Sequence, residues 1–295
     1  MRGRAGASRV QPPRLRWGER TYVMGIINVT PDSFSGDGIA VAGRDSASVV
    51  DAAVRQAELF VAAGADILDV GAESTRPAAV YGDHPPVGPE EEMQRAVPVV
   101  AALAERFGGR VLLSIDTSKG VVAEEALAAG AHIVNDVWAG RDPGTLDAAA
   151  RHGAHVVLMH NQDRAVYPRG LMATIIGQLS GALQRAVDAG VARERLIVDP
   201  GIGFGKTPEH SIEVLQRLGE LRVLDAPILV GTSRKRFIGE LLGGLPVEER
   251  TEGTAATVAL AIAAGADAVR VHEVQAMVRV VRVADGILRR TRRWG

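Results

Sequence analysis

The chain has 295 residues, 46% hydrophobic and 23% charged, and its 34 basic and 35 acidic side chains leave a formal net charge of −1. That is the composition of a globular protein with a large core, and the charge balance excludes a global field that would gather nucleic acid or anionic lipid. Cysteine is absent, which removes disulfides, thiolate chemistry and sulfur-ligated metals, and the most apolar run, Ala255 to Ala266, falls short of the roughly 20 residues that span a bilayer.

Residues 1–20 carry Arg2, Arg4, Arg9, Arg14, Arg16 and Arg20 against Glu19 alone. They read as a disordered basic extension ahead of a catalytic domain over residues 21–290, although an organelle transit peptide or a nucleic-acid arm has the same charge pattern. The body is marked by one phrase written four times: Ala63-Gly64-Ala65-Asp66, Ala129-Gly130-Ala131-His132, His152-Gly153-Ala154-His155 and Ala264-Gly265-Ala266-Asp267. Each precedes a short apolar run, the pattern of a helix closing on a left-handed glycine before a buried parallel strand. Strands are predicted near Tyr22 to Ile27, Asp66 to Val70, Val111 to Ile115, His132 to Asn135, His155 to Met159, Leu196 to Val198, Ile228 to Gly231 and Ala268 to Val271. Helix starts are signposted by Pro89 with Glu90, Glu91 and Glu92, and by Thr207 before Pro208 and Glu209. Eight β-α units with no linker and no second composition zone predict an α/β protein built as a single (β/α)8 TIM barrel.

Such barrels carry chemistry at the C-terminal ends of their strands, and polar residues cluster there in this chain. Asn28 follows the first strand, Asp69 to Pro77 the second, Asp116 to Lys119 the third and Asn135-Asp136 the fourth. Met159-His160, Asp199-Pro200-Gly201, Gly231 to Lys235 and Arg270-Val271-His272 close the remaining four. Asp116, Asn135, Asp199 and Lys235 offer acceptors and a donor suited to a flat heterocycle with amino and carbonyl edges. Arg76, Arg270 and His272, with Asn28, suit an anion or a metal-bound diphosphate. One ligand with a heterocyclic end and a phosphate end satisfies both groups. The chain has three lysines, Lys119, Lys206 and Lys235, and otherwise uses arginine. Where arginine is the habit, a lysine marks a need for a compact ammonium; Lys235 is read as a ligand contact, Lys119 and Lys206 as structural.

Several local patterns carry less. The glycine-rich run Gly201 to Thr207 lacks the spacing of a nucleotide loop, and His152, His155 and His160 are not spaced to share a zinc ion. Asp69 and Glu73 are read as partners of loop amides ahead of an acid–base pair.

Taken in order, Met24 to Ser35, Asp69 to Pro77, Ser114 to Thr117, Asn135 to Val137, Asp199 to Thr207, Ser233 to Lys235 and Arg270 to His272 resemble the dihydropteroate synthases over roughly residues 20–290. The resemblance implies a pterin held by Asp116, Asn135, Asp199 and Lys235 between walls of Met159, Phe204 and Gly231. It implies a diphosphate among Asn28, Arg76, Arg270 and His272, with Mg2+ bridging it near Asn28. p-Aminobenzoate would be enclosed through Phe34, Thr75, Pro77 and Ser233, and Asp116, Lys235, Arg270 and His272 would carry the catalysis, in a cytoplasmic homodimer formed by outer helices near Val258 and Val278. The pattern departs from the family at Ala78, where glycine is usual, and at Glu273, where aspartate is more familiar. A folate-to-corrinoid methyltransferase, a pterin-binding paralogue without turnover and a barrel for another phosphorylated metabolite remain as alternatives. Arg76 with Arg270 and His272 favours a substrate with a diphosphate.

Overall fold

The computed structural model describes residues 13–30, 46–73 and 87–289, and within them the four repeated phrases share one backbone solution. Gly64, Gly130, Gly153 and Gly265 all have positive φ, from 59° to 117°. In each phrase the alanine after the glycine donates its N–H to the carbonyl five residues back: Ala65 to Phe60, Ala131 to Ala126, Ala154 to Ala149 and Ala266 to Ala261, each at 2.9 Å. This satisfies a carbonyl left over at the helix end. The next residue then donates to the neighbouring strand, Asp66 to Val23, His132 to Leu113, His155 to His132 and Asp267 to Ile228. Helix termination and strand entry are therefore fixed within two residues, at a φ that glycine adopts without a Cβ penalty.

The strands are β1 Tyr22–Asn28, β2 Ile67–Gly71, β3 Leu112–Asp116, β4 Ile133–Asp136, β5 His155–Met159, β6 Leu196–Asp199, β7 Leu229–Val230 and β8 Ala268–Val271. All their pairings are parallel, in the order β6-β5-β4-β3-β2-β1-β8-β7. Between β6 and β7 the wall is held by one bridge, Val198 with Ile228, and by Val198 N–H donating to Pro227 O at 2.9 Å. Among the described residues the helices are α1 Ser46–Ala63, α2 Pro89–Phe107, α3 Gly120–Ala128, α4 Pro143–His152, α5 Leu171–Asp188, α6 Pro208–Gln216, α7 Arg236–Leu241, α8 Thr251–Ala263 and α9 Val274–Leu288. The expected starts hold: α2 opens on Pro89 with three glutamates in its first turn, and Thr207 caps α6 by accepting from His210 N–H. No described helix is long and apolar enough to cross a membrane.

Period-two alternation sorts each strand between two cores. Val23, Ile27, Leu68, Val70, Leu113, Ile115, Val134, Val156, Leu158 and Val198 face outward into the shell under the helices. Tyr22, Met24, Ile67, Leu112, Ile133, Val157, Ile197, Leu229 and Ala268 form a separate cluster inside the barrel, against which Leu15 and Trp17 pack. The extension expected to be loose through residue 20 is thus seated on the barrel floor from Leu15 onward. Trp17 meets Tyr22 edge-on at 5.3 Å, and Arg20 forks onto both oxygens of Asp66 at 3.0 and 2.6 Å. A reading of charge alone passed over these two apolar anchors. On the helices near Val258 and Val278, expected to supply apolar faces to a partner subunit, those two valines are buried and Leu260, Val283 and Ile287 are exposed.

Candidate active site

Two residues beyond the inner apolar cluster, the same face of four strands turns polar. Asp69 follows Ile67, Asn135 follows Ile133, Asp199 follows Ile197 and Arg270 follows Ala268; Asp116 lies four beyond Leu112. The walls expected from the resemblance share that face, since Met159 follows Val157 and Gly231 follows Leu229.

Arg270 organises one half of this layer. Its Nε donates to Asp69 Oδ2 and its Nη2 to Asp116 Oδ2, both at 2.6 Å, and Asn135 Nδ2 donates to the same Asp69 oxygen at 3.2 Å. Asp69 is fully buried and Asp116 is 7% exposed. Burial pushes the Asp116 carboxyl upward in pKa; Arg270 opposes this and Asp69 adds to it. Burial also disfavours the Arg270 cation, but the two carboxylates outweigh that and hold it above its ordinary value. Asp69 Oδ1 and Asp116 Oδ1 are buried and have no hydrogen-bond partner among the described residues. A deeply buried acceptor normally has one, so each can receive a donor from a ligand.

The other half is built on the loop after β6. Asp199 Oδ1 accepts from Gly201 N–H at 2.7 Å, and burial raises the pKa of this carboxyl while Lys235 opposes the shift. Lys235, at the N-terminus of α7, donates to Ile202 O and lies 4.6 Å from the centre of the Phe204 ring. Gly203 leaves room for it, since a Cβ there would sit 3.1 Å from Lys235 Cδ. Lys206 bridges His160 Nδ1 at 2.8 Å and Phe204 O at 3.0 Å. Burial pushes its ammonium down to about 7, with Asp199 opposing and Lys235 reinforcing the change. His160 is pushed to about 3 by burial and by Lys206, so its Nδ1 accepts.

At the mouth, Asn28 ends β1 opposite Gly71 of β2. A Cβ on Gly71 would lie 3.5 Å from Asp116 Cβ and 3.8 Å from Asn28 Oδ1, ordinary contact distances that place both side chains beside this glycine. Ser233 Oγ lies 2.9 Å from His272 Nδ1, accepts from His272 N–H at 3.2 Å and reaches Glu273 Oε2 at 3.3 Å; Arg234 Nε pairs with the other oxygen of Glu273. Phe34, Thr75, Arg76 and Pro77 lie outside the described residues.

The structure therefore brings Asn28, Asp116, Asn135, Met159, Asp199, Phe204, Gly231, Lys235, Arg270, Ser233 and His272 to one end of the barrel. It adds to the sequence reading in three places. Arg270, expected among the anion ligands, also pairs with two carboxylates, Asp69 and Asp116. Asp69, expected on loop amides, faces inward and pairs with Arg270 and Asn135. Lys206, read as structural, shares a buried cluster with His160 beside Asp199. Lys119 is as expected, paired with Glu73 at 2.6 Å and with the buried Glu92. Period-two placement from Ile67 would have sent Asp69 inward; nothing local pairs Lys206 with a residue 46 positions away.

A family model described as pterin binding enzyme matches residues 24–272. The dihydropteroate synthase of Clostridium beijerinckii is 45% identical over 275 residues, 92% of this chain and 96% of its own length. That of Bacillus subtilis is 43% identical over 279 residues, 94% and 92%. Among solved structures, dihydropteroate synthase from Clostridium difficile in the presence of pteroic acid superposes with a TM-score of 0.85 at 43% identity, covering 94% of this chain and 100% of that one. The Xanthomonas albilineans enzyme with 4-aminobenzoic acid gives 0.82 at 40% identity, covering 92% and 94%.

Proposed function

This chain belongs to the dihydropteroate synthases, a branch of the pterin-binding enzymes, and we infer from that membership and the site geometry how its residues divide the work. The reaction is a transfer in folate biosynthesis: 6-hydroxymethyl-7,8-dihydropterin diphosphate and p-aminobenzoate give 7,8-dihydropteroate and diphosphate. The amine lone pair forms a C–N bond to the pterin methylene, the C–O bond breaks with its electron pair leaving on diphosphate, and the nitrogen loses a proton. The arylamine is already nucleophilic at neutral pH, so the protein's part is to position the partners and stabilise charge.

The observation that carries the assignment of the pterin pocket is the pair of buried, partnerless oxygens, Asp69 Oδ1 and Asp116 Oδ1. They match the N–H edge of an aminopterin, with Asn135 and Asp199 completing the hydrogen-bonding rim, Lys235 meeting the ring carbonyl side, and Met159, Phe204 and Gly231 as walls. Asp116 steadies positive charge as it grows on the methylene. Arg270, His272, Asn28 and, from outside the described residues, Arg76 take the diphosphate; Phe34, Thr75 and Pro77 take p-aminobenzoate, with Ser233 as part of the adjoining wall.

Among the described residues no three His, Cys, Asp or Glu side chains surround a common metal position. The Asn28 amide oxygen at the mouth is a hard neutral donor of the kind that would hold a Mg2+ ion. Such an ion neutralises charge on the departing diphosphate when bound. We further assign the working form as a cytoplasmic homodimer, with Leu260, Val283 and Ile287 on α8 and α9 supplying exposed apolar surface at 65%, 64% and 72%.

The test is diphosphate release from 6-hydroxymethyl-7,8-dihydropterin diphosphate with Mg2+, with and without p-aminobenzoate. Amine-dependent release that is lost in Lys235→Ala supports the division of roles. Undiminished release in Lys235→Ala removes that lysine from the pocket, and tight pterin binding without any release points to a pterin-binding protein of another activity.

A further inference from the structure

The β7 and β8 loops meet in a short chain of polar groups, two of which, Arg234 and Glu273, the reaction scheme leaves unused. Glu273 has one carboxylate oxygen on Arg234 Nε and the other 3.3 Å from Ser233 Oγ; Ser233 Oγ is in turn 2.9 Å from His272 Nδ1 and accepts from the His272 backbone N–H at 3.2 Å. Ser233 is only 6% exposed, and the Glu273 and Arg234 side chains are each 16% exposed. A hydroxyl has one proton to give and two lone pairs to receive with. Facing a carboxylate that can only accept, Ser233 spends its proton on Glu273 Oε2. Its two lone pairs then take the His272 backbone N–H and a proton on His272 Nδ1. The three contacts fill the hydroxyl's capacity, and they set the imidazole tautomer: the neutral ring carries hydrogen on Nδ1 and offers Nε2 as an acceptor.

An acceptor nitrogen is the wrong partner for a phosphate oxygen. Resting on the assignment of His272 to the diphosphate, we propose that Glu273, acting through Ser233, is a positioning residue that makes His272 bind the diphosphate as imidazolium. The ring takes up one proton at Nε2 as the anion arrives and keeps its Nδ1 hydrogen on Ser233. The proton comes from solvent, and no bond of the substrate changes in this step. A neutral ring with hydrogen on Nε2 could donate to the anion without any uptake, and the carboxylate at position 273 is what disfavours that tautomer. The charged groups on the two segments meeting here are Arg234, Lys235 and Arg236 on the β7 side and Arg270 and Glu273 on the β8 side; Arg234 is matched by Glu273, and Arg270 by Asp69 and Asp116. Arg250, from the turn before α8, donates to Arg234 O at 3.0 Å, and Thr254 of α8 accepts from Arg234 N–H at 3.1 Å, so the segment holding Arg234 is fixed from behind.

Glu273→Gln tests this directly, because a glutamine can donate its amide N–H to Ser233 and turn the hydroxyl proton onto His272 Nδ1, moving the ring hydrogen to Nε2. Two-bond 1H–15N correlation spectra of the histidine-labelled full chain at pH 8.5 report the tautomer, with the His272 signals identified by their loss in His272→Gln. The expected result is the Nδ1–H form in the wild type, a shift toward Nε2–H in Glu273→Gln, and recovery of Nδ1–H in Glu273→Asp. Calorimetry of Mg2+–diphosphate binding at that pH, in buffers of different ionisation enthalpy, is expected to give proton uptake larger in the wild type than in Glu273→Gln by a substantial fraction of one proton. A wild-type ring already in the Nε2–H form, or equal uptake in the two proteins, overturns the relay. Unchanged diphosphate affinity in His272→Gln instead overturns the placement of His272 at the anion, whatever the tautomer.

Discussion

Replacing Arg270 by methionine keeps much of the side-chain stem and removes the charge that holds two buried carboxylates. Asp69 is fully buried and Asp116 is 7% exposed, and each already has one oxygen without a partner. Removing one partner from a buried ion pair costs about 3–5 kcal/mol, and the variant should lose that much at pH 8. The loss should shrink in acid. Without the guanidinium, at least one carboxyl has a folded pKa above its unfolded value, so the folded state binds the extra proton and stability falls as pH rises through the folded pKa. If the variant's pKa rises above 8, moving from pH 8 to pH 5.5 gives it about 3.5 kcal/mol, against about 2 kcal/mol for the wild type, whose Asp116 is already raised to about 7, so about 1.5 kcal/mol of the loss is recovered at about 1.4 kcal/mol per pH unit. Urea unfolding of both proteins at the two pH values measures the difference. A loss below about 1 kcal/mol at pH 8, or one that does not change with pH, would show that Arg270 does not hold these carboxylates. Because the same guanidinium touches Asp116, Arg270→Met should also weaken pterin and diphosphate binding together. A loss confined to the diphosphate side is instead expected for His272→Gln.

The buried Lys206 predicts the opposite slope. Its folded pKa of about 7 lies below the lysine value of 10.5; between them the unfolded chain keeps a proton that the folded chain releases, so stability should rise on the order of 3 kcal/mol from pH 6.5 to 9.5. Lys206→Met should flatten that rise, and parallel urea midpoints in the two proteins would refute the assignment. Gly201→Ala places a Cβ at φ +66°, against the His160 carbonyl oxygen. It should lower stability by at least about 2 kcal/mol and slacken the loop bearing Ile202 and Phe204, read as a lower melting temperature together with weaker pterin binding.

All eight strands were legible because their signals are local. An alanine-rich helix, one glycine and an apolar run fall within a dozen residues, and the N–H bonds of Ala65, Ala131, Ala154 and Ala266 are short-range consequences of that order. The ring of candidate residues was legible for the same reason, each following the end of a strand. What stayed hidden is pairing at long range. Arg270 meets Asp69 across 201 positions and Asp116 across 154, and no spacing rule reaches that far. Asp69 was misjudged because the glycine-containing stretch after it suggested a loop amide, whereas its register opposite Ile26 and Ser114 places it within the barrel wall. Lys206 was passed over because its meaning depends on burial, which a glycine-rich segment does not announce.

The thin contact between β6 and β7 makes the barrel a split ring. Asp199 stands on one lip, Lys235 follows the other, and Lys235 reaches back over the gap to Ile202 O. A ligand gripping both lips acts as a clasp, so part of its binding energy goes into holding the wall shut. Amide exchange at Val198, whose N–H crosses the seam to Pro227 O, should then slow on binding more than at any other strand position, and occupancy of the pocket becomes readable as resistance of the whole barrel to springing open.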